Sequence, residues 1–317
     1  MARRIDKAAV LGAGVMGSGI AAHLANAGIP CVLLDIVPPN LTEDEKAKPE
    51  ARNRFALNGI EVAKKFKPAP LFYSEKFASL VTPGNLEDDL EKLSDCDIII
   101  EAVLENLDVK RSLFQKIQPH MKWGAILSSN TSGLAIQSML DGFDPTFKAN
   151  FLVTHFFNPV RFMKLLEIVT GPDTDPEVLD TWLQLADTLG KGVVFGKDTP
   201  NFVANRIGVY AINKTIQLMM EGDYTIEEVD AVFGKPMGHP GSAAFKTADL
   251  VGVDTYKHVS ANCYDNLPDD DERPVFLLPD FITKMVENKW LGGKTKGGFY
   301  KKDVGPDGKK LALALDW

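Results

Sequence analysis

"AAVLGAGVMGSGIAAHLANAGIPCVLLD", residues 8–35, has the pattern of a strand, a glycine turn, a helix and a second strand. Residues 8–11 are apolar and predict a strand. Apolar residues at helical spacing follow the glycines, and the helix should end at Gly28. Residues 31–35 are apolar up to a final acid, as is typical of a parallel strand buried on both faces. The stretch therefore predicts the first strand–helix–strand unit of a doubly wound sheet.

The turn in this unit, "GAGVMG", spaces its glycines as G-x-G-x-x-G. In this context the first glycine permits a tight turn, the second lets a pyrophosphate approach the backbone, and the third lets the helix pack closely. The free N–H groups at the start of the helix attract the anion. A turn without a ligand is the alternative, and the agreement of spacing and context disfavours it.

Asp35 ends the second strand of the unit, where its carboxylate can accept hydrogen bonds from a ribose. The same charge would repel a 2′-phosphate, which favours NAD over NADP. The residues predicted to bind the cofactor in this unit are Gly12, Gly14, Val15, Met16, Gly17 and Asp35.

The rest of the chain divides into three parts. Residues 36–93 are charged and proline-rich and predict a helical insertion, with helices near 41–65. Strands and helices then alternate up to residue 198, and only helices are predicted from residue 199 onward. We therefore predict an α/β fold: a doubly wound Rossmann-type sheet over residues 1–198, interrupted by the insertion, followed by an all-α C-terminal domain over 199–317. The predicted strands are 97–103, 125–129, 148–156 and 192–196, and the helices between them are 107–120, 134–140 and 176–189.

Composition excludes several classes of protein. A net charge of −8 disfavours a nucleic-acid binder, and no apolar stretch is long enough to span a membrane. The three cysteines, Cys31, Cys96 and Cys263, are far apart, which disfavours both a disulfide framework and a cysteine-rich zinc site. We expect no metal and a cytoplasmic, reducing location. No signal peptide pattern precedes the first strand.

A second motif is "THFFNPVRFMKLLEIV", residues 154–169. If the chain reverses around Arg161, His155 and Glu167 face each other in an antiparallel pair. A buried glutamate needs a partner, and an imidazole N–H provides one. The glutamate would fix the ring tautomer and leave the other ring nitrogen free to accept a proton. A pair that only stabilises the hairpin is the alternative, and the dinucleotide loop favours catalysis over it.

Four motifs, which occur along the chain in the order "SNTS", "HFFNPV", "MKLLEIV" and "DTPNFVANRI", resemble those of the L-3-hydroxyacyl-CoA dehydrogenase family of fatty-acid β-oxidation. The resemblance runs from Lys7 to about Lys301. It implies NAD⁺-dependent oxidation of an L-3-hydroxyacyl-CoA to a 3-ketoacyl-CoA. By position it implies four catalytic residues: the base His155, its orienting acid Glu167, Ser132 and Asn205.

The resemblance also extends the predicted cofactor site to Glu105, Lys110, Ser132, Asn158 and Lys294. Each further position has a structural alternative. Ser132 could cap the helix at 134–140, and Glu105 could cap the helix at 107–120. Lys110 could be a solvated charge, and Asn205 could make an interdomain hydrogen bond.

Partners follow from the resemblance as well. The substrate is expected to be an acyl-CoA, and the insertion at 36–93 corresponds to the family's CoA-contacting helical arm. A homodimer through the helical domain is expected. The tail "GPDGKKLALALDW" is interpreted as the start of a further segment, with an enoyl-CoA hydratase as a fused or separate partner. A dehydrogenase of a non-CoA hydroxy acid and a non-catalytic relative such as the lambda-crystallins are the alternative functions.

Overall fold

A computed structural model describes residues 2–304 and 310–317. Its contacts divide the chain into two compact units, which meet in sequence between Phe202 and Val203. Sequence analysis put the boundary near residue 198. The first unit extends further because Phe202 is buried and packs into the core on one face of its sheet.

The first unit contains one eight-stranded sheet. Its strands are β1 (Ala8–Leu11), β2 (Cys31–Asp35), β3 (Val81–Asn85), β4 (Ile98–Glu101), β5 (Ile126–Ser129), β6 (Phe151–Phe156), β7 (Leu165–Thr170) and β8 (Gly192–Gly196). Their order is β3-β2-β1-β4-β5-β6-β7-β8. All pairs are parallel except β6 with β7, which are antiparallel.

Helices cover both faces of this sheet, and each face has its own apolar cluster. They are α1 (Val15–Asn26), α2 (Glu43–Lys46), α3 (Pro49–Arg52), α4 (Arg54–Lys65), α5 (Glu75–Ala78), α6 (Leu107–Ile117), α7 (Ile136–Leu140), α8 (Pro145–Ala149) and α9 (Pro176–Thr188). One cluster contains Ile20 and Leu24 of α1 and Trp182 of α9. The other contains Phe114 of α6 and Phe147 of α8. The doubly wound Rossmann-type sheet is thereby confirmed.

The insertion at 36–93 differs from the prediction, because it is not entirely helical. It contains α2 to α5, but it also contributes β3, which pairs with β2 at the edge of the sheet. The sequence of β3, "VTPGN", hides the strand because Pro83 and Gly84 are strand breakers. Pro83 is tolerated since an edge strand leaves one row of backbone groups unpaired.

The predicted strand 148–156 is also shorter than expected. It begins at Phe151, because residues 145–149 form α8. The Asp144 side chain caps this helix by accepting a hydrogen bond from the Phe147 N–H, and Pro145 occupies its first turn. A capped N-terminus with proline favours a helix over a strand at these residues.

The second unit is mainly helical. Its helices are α10 (Ala204–Gly222), α11 (Ile226–Phe233), α12 (Phe245–Val251), α13 (Val253–Asn266) and α14 (Asp280–Glu287). The all-α prediction was incomplete, since β9 (Tyr300–Val304) and β10 (Lys310–Ala314) form an antiparallel pair. The predicted tail segment therefore contributes a strand, and its residues 305–309 lie outside the described residues.

No described helix combines the length and apolarity needed to cross a bilayer. Within residues 2–304 and 310–317, no group of three or more His, Cys, Asp or Glu side chains could hold a metal ion. The three cysteines, all among the described residues, are buried and form no disulfide.

His23 lies in α1 and packs against the end of α9. The ring is 5% exposed, and its Nε2–H donates to the Leu189 carbonyl at 2.9 Å. The buried Nδ1 has no hydrogen-bond partner among the described residues. Burial, reinforced by the nearby Lys191 charge, lowers the pKa of His23 to about 4. The folded chain therefore holds this ring neutral at mildly acidic pH.

This burial predicts a pH-dependent stability. In the unfolded chain His23 takes up a proton near its usual pKa of 6.5, whereas in the folded chain it does so only near 4. The stabilising effect of the neutral ring is thus complete above pH 6.5 and falls as the pH drops toward 4, by about 2 kcal/mol at pH 5. His23→Gln keeps a donor for the Leu189 carbonyl but does not titrate. The free energy of unfolding of this variant should therefore fall less between pH 7 and pH 5 than that of the wild type. Urea unfolding at both pH values, with hydrogen exchange of the α1 amides as the probe, measures these free energies. Equal losses in both proteins would contradict it.

Candidate active site

In the turn between β1 and α1, contacts within the protein require glycine at two of the three glycine positions. Gly12 has a φ of +99°, and a Cβ there would lie 2.5 Å from the carbonyl oxygen of Ala102. A Cβ on Gly17 would lie 1.7 Å from the carbonyl oxygen of Gly12. Only glycine permits this backbone conformation and this contact between helix and turn.

Gly14 is different, because a Cβ there would meet no heavy atom within 4 Å. Gly14 is the N-cap of α1, and no side chain caps this helix start. Its first N–H groups are therefore available to an anion. Val15, at the first helical position, is 62% exposed, and Met16 is half-buried. The open approach at Gly14 fits the pyrophosphate of a dinucleotide.

Asp35 supports the same turn from the end of β2. Its Oδ2 accepts a hydrogen bond from the Ala13 N–H at 2.5 Å, and its Oδ1 accepts one from the Ile36 N–H at 2.6 Å. A cavity of about 600 Å³ adjoins the turn, within the size range of ligand sites. Its lining includes Gly12, Gly14, Asp35, Ile36, Val103 and Leu104. The residues present fit the adenosine half of NAD.

His155 and Glu167 form a buried pair in the hairpin of β6 and β7. They face each other in the register of the two strands, and the His155 Nδ1 lies 2.6 Å from the Glu167 Oε2. Glu167 is fully buried and His155 is 5% exposed. The predicted pairing is confirmed. Because a buried carboxylate is an acceptor, Nδ1 carries the proton and donates it, and Nε2 is the nitrogen with a free lone pair.

Aromatic rings surround the imidazole. The ring of Phe157 lies 4.4 Å from it and that of Phe202 lies 6.1 Å away, both measured between ring centroids. The Nε2 atom of His155 makes no hydrogen bond to any residue that the structure describes. An apolar surrounding of this kind limits the access of water to the ring and strengthens its bond to Glu167.

Two cations that sequence analysis did not single out anchor the loop between β6 and β7. The Lys191 Nζ donates to the carbonyl oxygens of Val160 and Met163, at 2.5 and 2.8 Å. Burial lowers the pKa of Lys191 to about 8, so the side chain is still a cation at neutral pH. On the outer side, Arg161 donates to the carbonyl oxygens of Pro70 and Phe72. These bonds tie the loop to the residue that precedes β8 and to the segment between α4 and α5.

Ser132 follows β5 in a turn that Glu105 holds. The Glu105 Oε1 accepts hydrogen bonds from the Thr131 hydroxyl at 2.6 Å and from the Ser132 N–H at 2.8 Å. The Ser132 side chain is not the cap of the following helix. That helix begins at Ile136, whose N–H donates to Asp198. Neither does Glu105 cap α6, because the Asn106 side chain does so.

Lys110 is not a solvated charge. It is 1% exposed, and its Nζ donates to both carboxylate oxygens of Glu101, at 2.6 and 2.8 Å. Its distance to the Glu105 Oε2 is 3.2 Å. Glu101 was missed by sequence analysis. Its sequence signal was the same as that of Asp35, since each is an acid at the end of a continuously apolar strand.

The remaining predicted residues are separate from this network. Asn158 is exposed directly after β6. Asn205 and Lys294 belong to the second unit, where Asn205 lies in the first turn of α10. The Lys294 Nζ lies 2.8 Å from the Asp254 Oδ1 and 3.0 Å from the Thr255 hydroxyl. The roles of these three residues stay predictions.

The open approach at Gly14 leads to a first prediction for this site. Gly14→Ala places a methyl group where no protein atom lies, at an ordinary φ of −67°, so folding should be unchanged. NADH affinity should fall by about tenfold or more, which corresponds to roughly 1.4 kcal/mol, because the methyl occupies the path of the pyrophosphate. Fluorescence titration with NADH measures it. The matched control is Gly192→Ala. Gly192 lies on the edge strand β8, and its Cβ would be 4.0 Å from the nearest heavy atom. Unchanged affinity in Gly14→Ala would contradict the assignment.

Asp35 leads to a second prediction. Asp35→Asn keeps an oxygen that accepts from the Ala13 N–H but removes the charge that repels a 2′-phosphate. The preference for NADH over NADPH should narrow, mainly through tighter NADPH binding. The ratio of the two dissociation constants is the measurement. Asp97→Asn, which removes a carboxylate beside the amino end of β4, should leave the ratio as it is. An unchanged ratio in Asp35→Asn would remove the role of Asp35 in selecting the cofactor.

Comparison with known families gives a consistent result over nearly the whole chain. Residues 7–199 match the model of the 3-hydroxyacyl-CoA dehydrogenase NAD-binding domain, and residues 202–302 match that of the C-terminal domain. A probable 3-hydroxyacyl-CoA dehydrogenase of Bacillus subtilis is 52% identical over 310 residues, covering 96% of this chain and 39% of that protein. The chain thus spans well under half of that relative's length.

Two further relatives are covered over most of their length. A probable 3-hydroxyacyl-CoA dehydrogenase of Deinococcus radiodurans is 46% identical over 300 residues, covering 94% of this chain and 83% of that protein. The crystal structure of FadB2 from M. tuberculosis superposes with a TM-score of 0.77 at 30% identity, covering 94% of this chain and 99% of that one. The chain belongs to the 3-hydroxyacyl-CoA dehydrogenase family, and NAD is the cofactor of its N-terminal domain.

Proposed function

We propose that this chain oxidises the 3-hydroxyl of an L-3-hydroxyacyl-CoA to a ketone with NAD⁺, as in fatty-acid β-oxidation. The observation that carries the proposal is the buried pair of His155 and Glu167, joined at 2.6 Å. The pair lies at the carboxyl end of β6, the same edge of the sheet that carries the glycine turn. Ligands of such sheets bind at this edge. The family match supports the choice of substrate.

The proposed chemical role of His155 is that of a general base. Its Nε2 takes the proton of the 3-hydroxyl, and the ring becomes an imidazolium. Glu167 stabilises this cation through the bond to Nδ1 and holds the ring in the one tautomer that leaves Nε2 basic. A general base of this kind contributes about 10²–10⁴-fold to the rate.

Bound NAD⁺ supplies the acceptor for the hydride that leaves C3 of the substrate. The chain's own residues bind the cofactor and orient the substrate for that step. The α1 start and Asp35 hold the pyrophosphate and the ribose. Ser132, whose N–H is fixed by Glu105, offers its hydroxyl to the substrate's 3-oxygen or to nearby cofactor atoms. This hydroxyl makes no hydrogen bond to the residues that the structure describes, so it is available for the role.

The acyl-CoA substrate is the finer part of the proposal. It is supported by the family match and by the relatives that are 3-hydroxyacyl-CoA dehydrogenases by name, although the Bacillus subtilis relative is considerably longer than this chain. The homodimer and the enoyl-CoA hydratase partner have no support beyond the resemblance and stay predictions. The cytoplasmic location also stays a prediction.

The decisive experiment compares His155→Gln with Glu167→Gln in acetoacetyl-CoA reduction, followed by the loss of NADH absorbance. His155→Gln should lower kcat by about 10²–10⁴-fold while NADH binding is retained, because the base is lost but the glycine turn is not. Glu167→Gln should lower kcat less, because it removes only the charge that orients and stabilises the ring.

The chain offers a matched control. The Nδ1 of His120 lies 2.9 Å from the Glu91 Oε1 in an exposed pair, so His120→Gln removes a His–Glu contact of the same kind at the surface. This variant should keep wild-type activity. Absence of turnover in well-folded wild-type protein that binds NADH would contradict the proposal and favour a non-catalytic relative. Equal turnover of free acetoacetate would contradict the CoA substrate.

A further inference from the structure

Four hydrogen bonds meet on the carboxylate of Glu101, a residue outside the predicted site. Its side chain is fully buried at the end of β4. It accepts hydrogen bonds from the Lys110 ammonium at 2.6 and 2.8 Å, from the Ser129 hydroxyl at 2.5 Å and from the Val103 N–H at 2.7 Å. Donors from β5, from α6 and from the segment after β4 therefore meet on one carboxylate.

Lys110 transmits this arrangement to a second acid. Its ammonium lies between the fully buried Glu101 and the Glu105 side chain, which is 41% exposed. Two carboxylates share one cation, and the shorter contacts go to Glu101. Because Lys110 is held by Glu101, its position relative to Glu105 is fixed as well.

Glu105 in turn holds the turn that carries Ser132. Its Oε1 accepts from the Thr131 hydroxyl and from the Ser132 N–H. The Thr131 oxygen also accepts from the N–H groups of Gly133 and Leu134, at 3.3 and 3.0 Å. The residues on both sides of Ser132 are thus tied to a single carboxylate oxygen and a single hydroxyl.

We propose that Glu101 is a positioning residue, which acts through Lys110 and Glu105 to fix Ser132 in its working geometry. The inference rests on the proposed function, in which Ser132 binds the reacting oxygen or the cofactor. Without the Glu101 charge, Glu105 is the carboxylate left to neutralise a buried ammonium. It would be drawn toward Lys110 and away from Thr131 and Ser132, since an unpaired buried cation is costly.

The test is Glu101→Gln, compared with Asp97→Asn. Asp97 lies at the opposite end of the same strand and also accepts two N–H groups and one lysine ammonium, those of Asp6, Lys7 and Lys122. Both substitutions should destabilise the strand, but only Glu101→Gln should change the position of Ser132. We expect kcat for acetoacetyl-CoA to fall about tenfold or more in Glu101→Gln, because a small displacement of a group that contacts the reacting atoms lowers the rate strongly. Asp97→Asn should keep kcat.

A double-mutant cycle separates positioning from general loss of structure. If Glu101 acts through Ser132, the double variant Glu101→Gln/Ser132→Ala should have the same kcat as Ser132→Ala alone. Losses that multiply in the double variant, or an equal kcat in Glu101→Gln and Asp97→Asn, would overturn the inference. If Glu101→Gln does not fold, Ser129→Ala removes one bond to Glu101 and should show the same coupling with a smaller loss.

Hydrogen exchange provides a readout that does not depend on turnover. The amides of residues 132–134 should exchange faster in Glu101→Gln than in the wild type, and at the wild-type rate in Asp97→Asn. Unchanged exchange in Glu101→Gln would overturn the positioning role even if the enzyme is active. If the wild type lacks activity, the proposed function fails, and the exchange rates still decide whether Glu101 fixes the turn.

Discussion

The bond between the His155 ring and the Glu167 carboxylate is the constraint on which the rest of the site depends. A fully buried carboxylate without a partner would cost several kcal/mol, so the two strands that carry the pair must stay in one register. A slip of one residue between the two strands would put these two side chains on opposite faces of the sheet. The same bond therefore fixes the hairpin and sets the tautomer of the imidazole.

The other polar groups of the first unit are arranged by a similar principle. Strands β2 and β4 each end in an acid, and each acid binds backbone N–H groups of the segment that follows or faces it. Asp35 thereby holds the glycine turn, and Glu101 holds the start of the segment leading to α6. These two parallel strands thus end in carboxylates that shape the loops at the ligand-binding edge, while the apolar residues before them contribute to the two cores.

Much of this was readable from the sequence, and the failures have physical causes. The glycine turn and the His155–Glu167 pairing were predicted because both depend on local spacing, and periodicity reports local spacing. Strand β3 was missed because it contains Pro83 and Gly84, which only an edge position tolerates. A solvated Lys110 stayed open as an alternative because its burial depends on Glu101, nine residues away in sequence and on another element. Lys191 was missed because its partners are carbonyl groups, which leave no signal in a sequence.

The antiparallel arrangement of β6 and β7 has a consequence for how the molecule assembles. The neighbouring parallel strands of the sheet are joined through helices, whereas this hairpin closes through a short loop, and its two key residues are only twelve positions apart. Local contacts of this kind have a low entropic cost of loop closure and form early in folding. The acid and the base can thus find each other while the chain is still emerging from the ribosome, before the helical unit that follows has been synthesised.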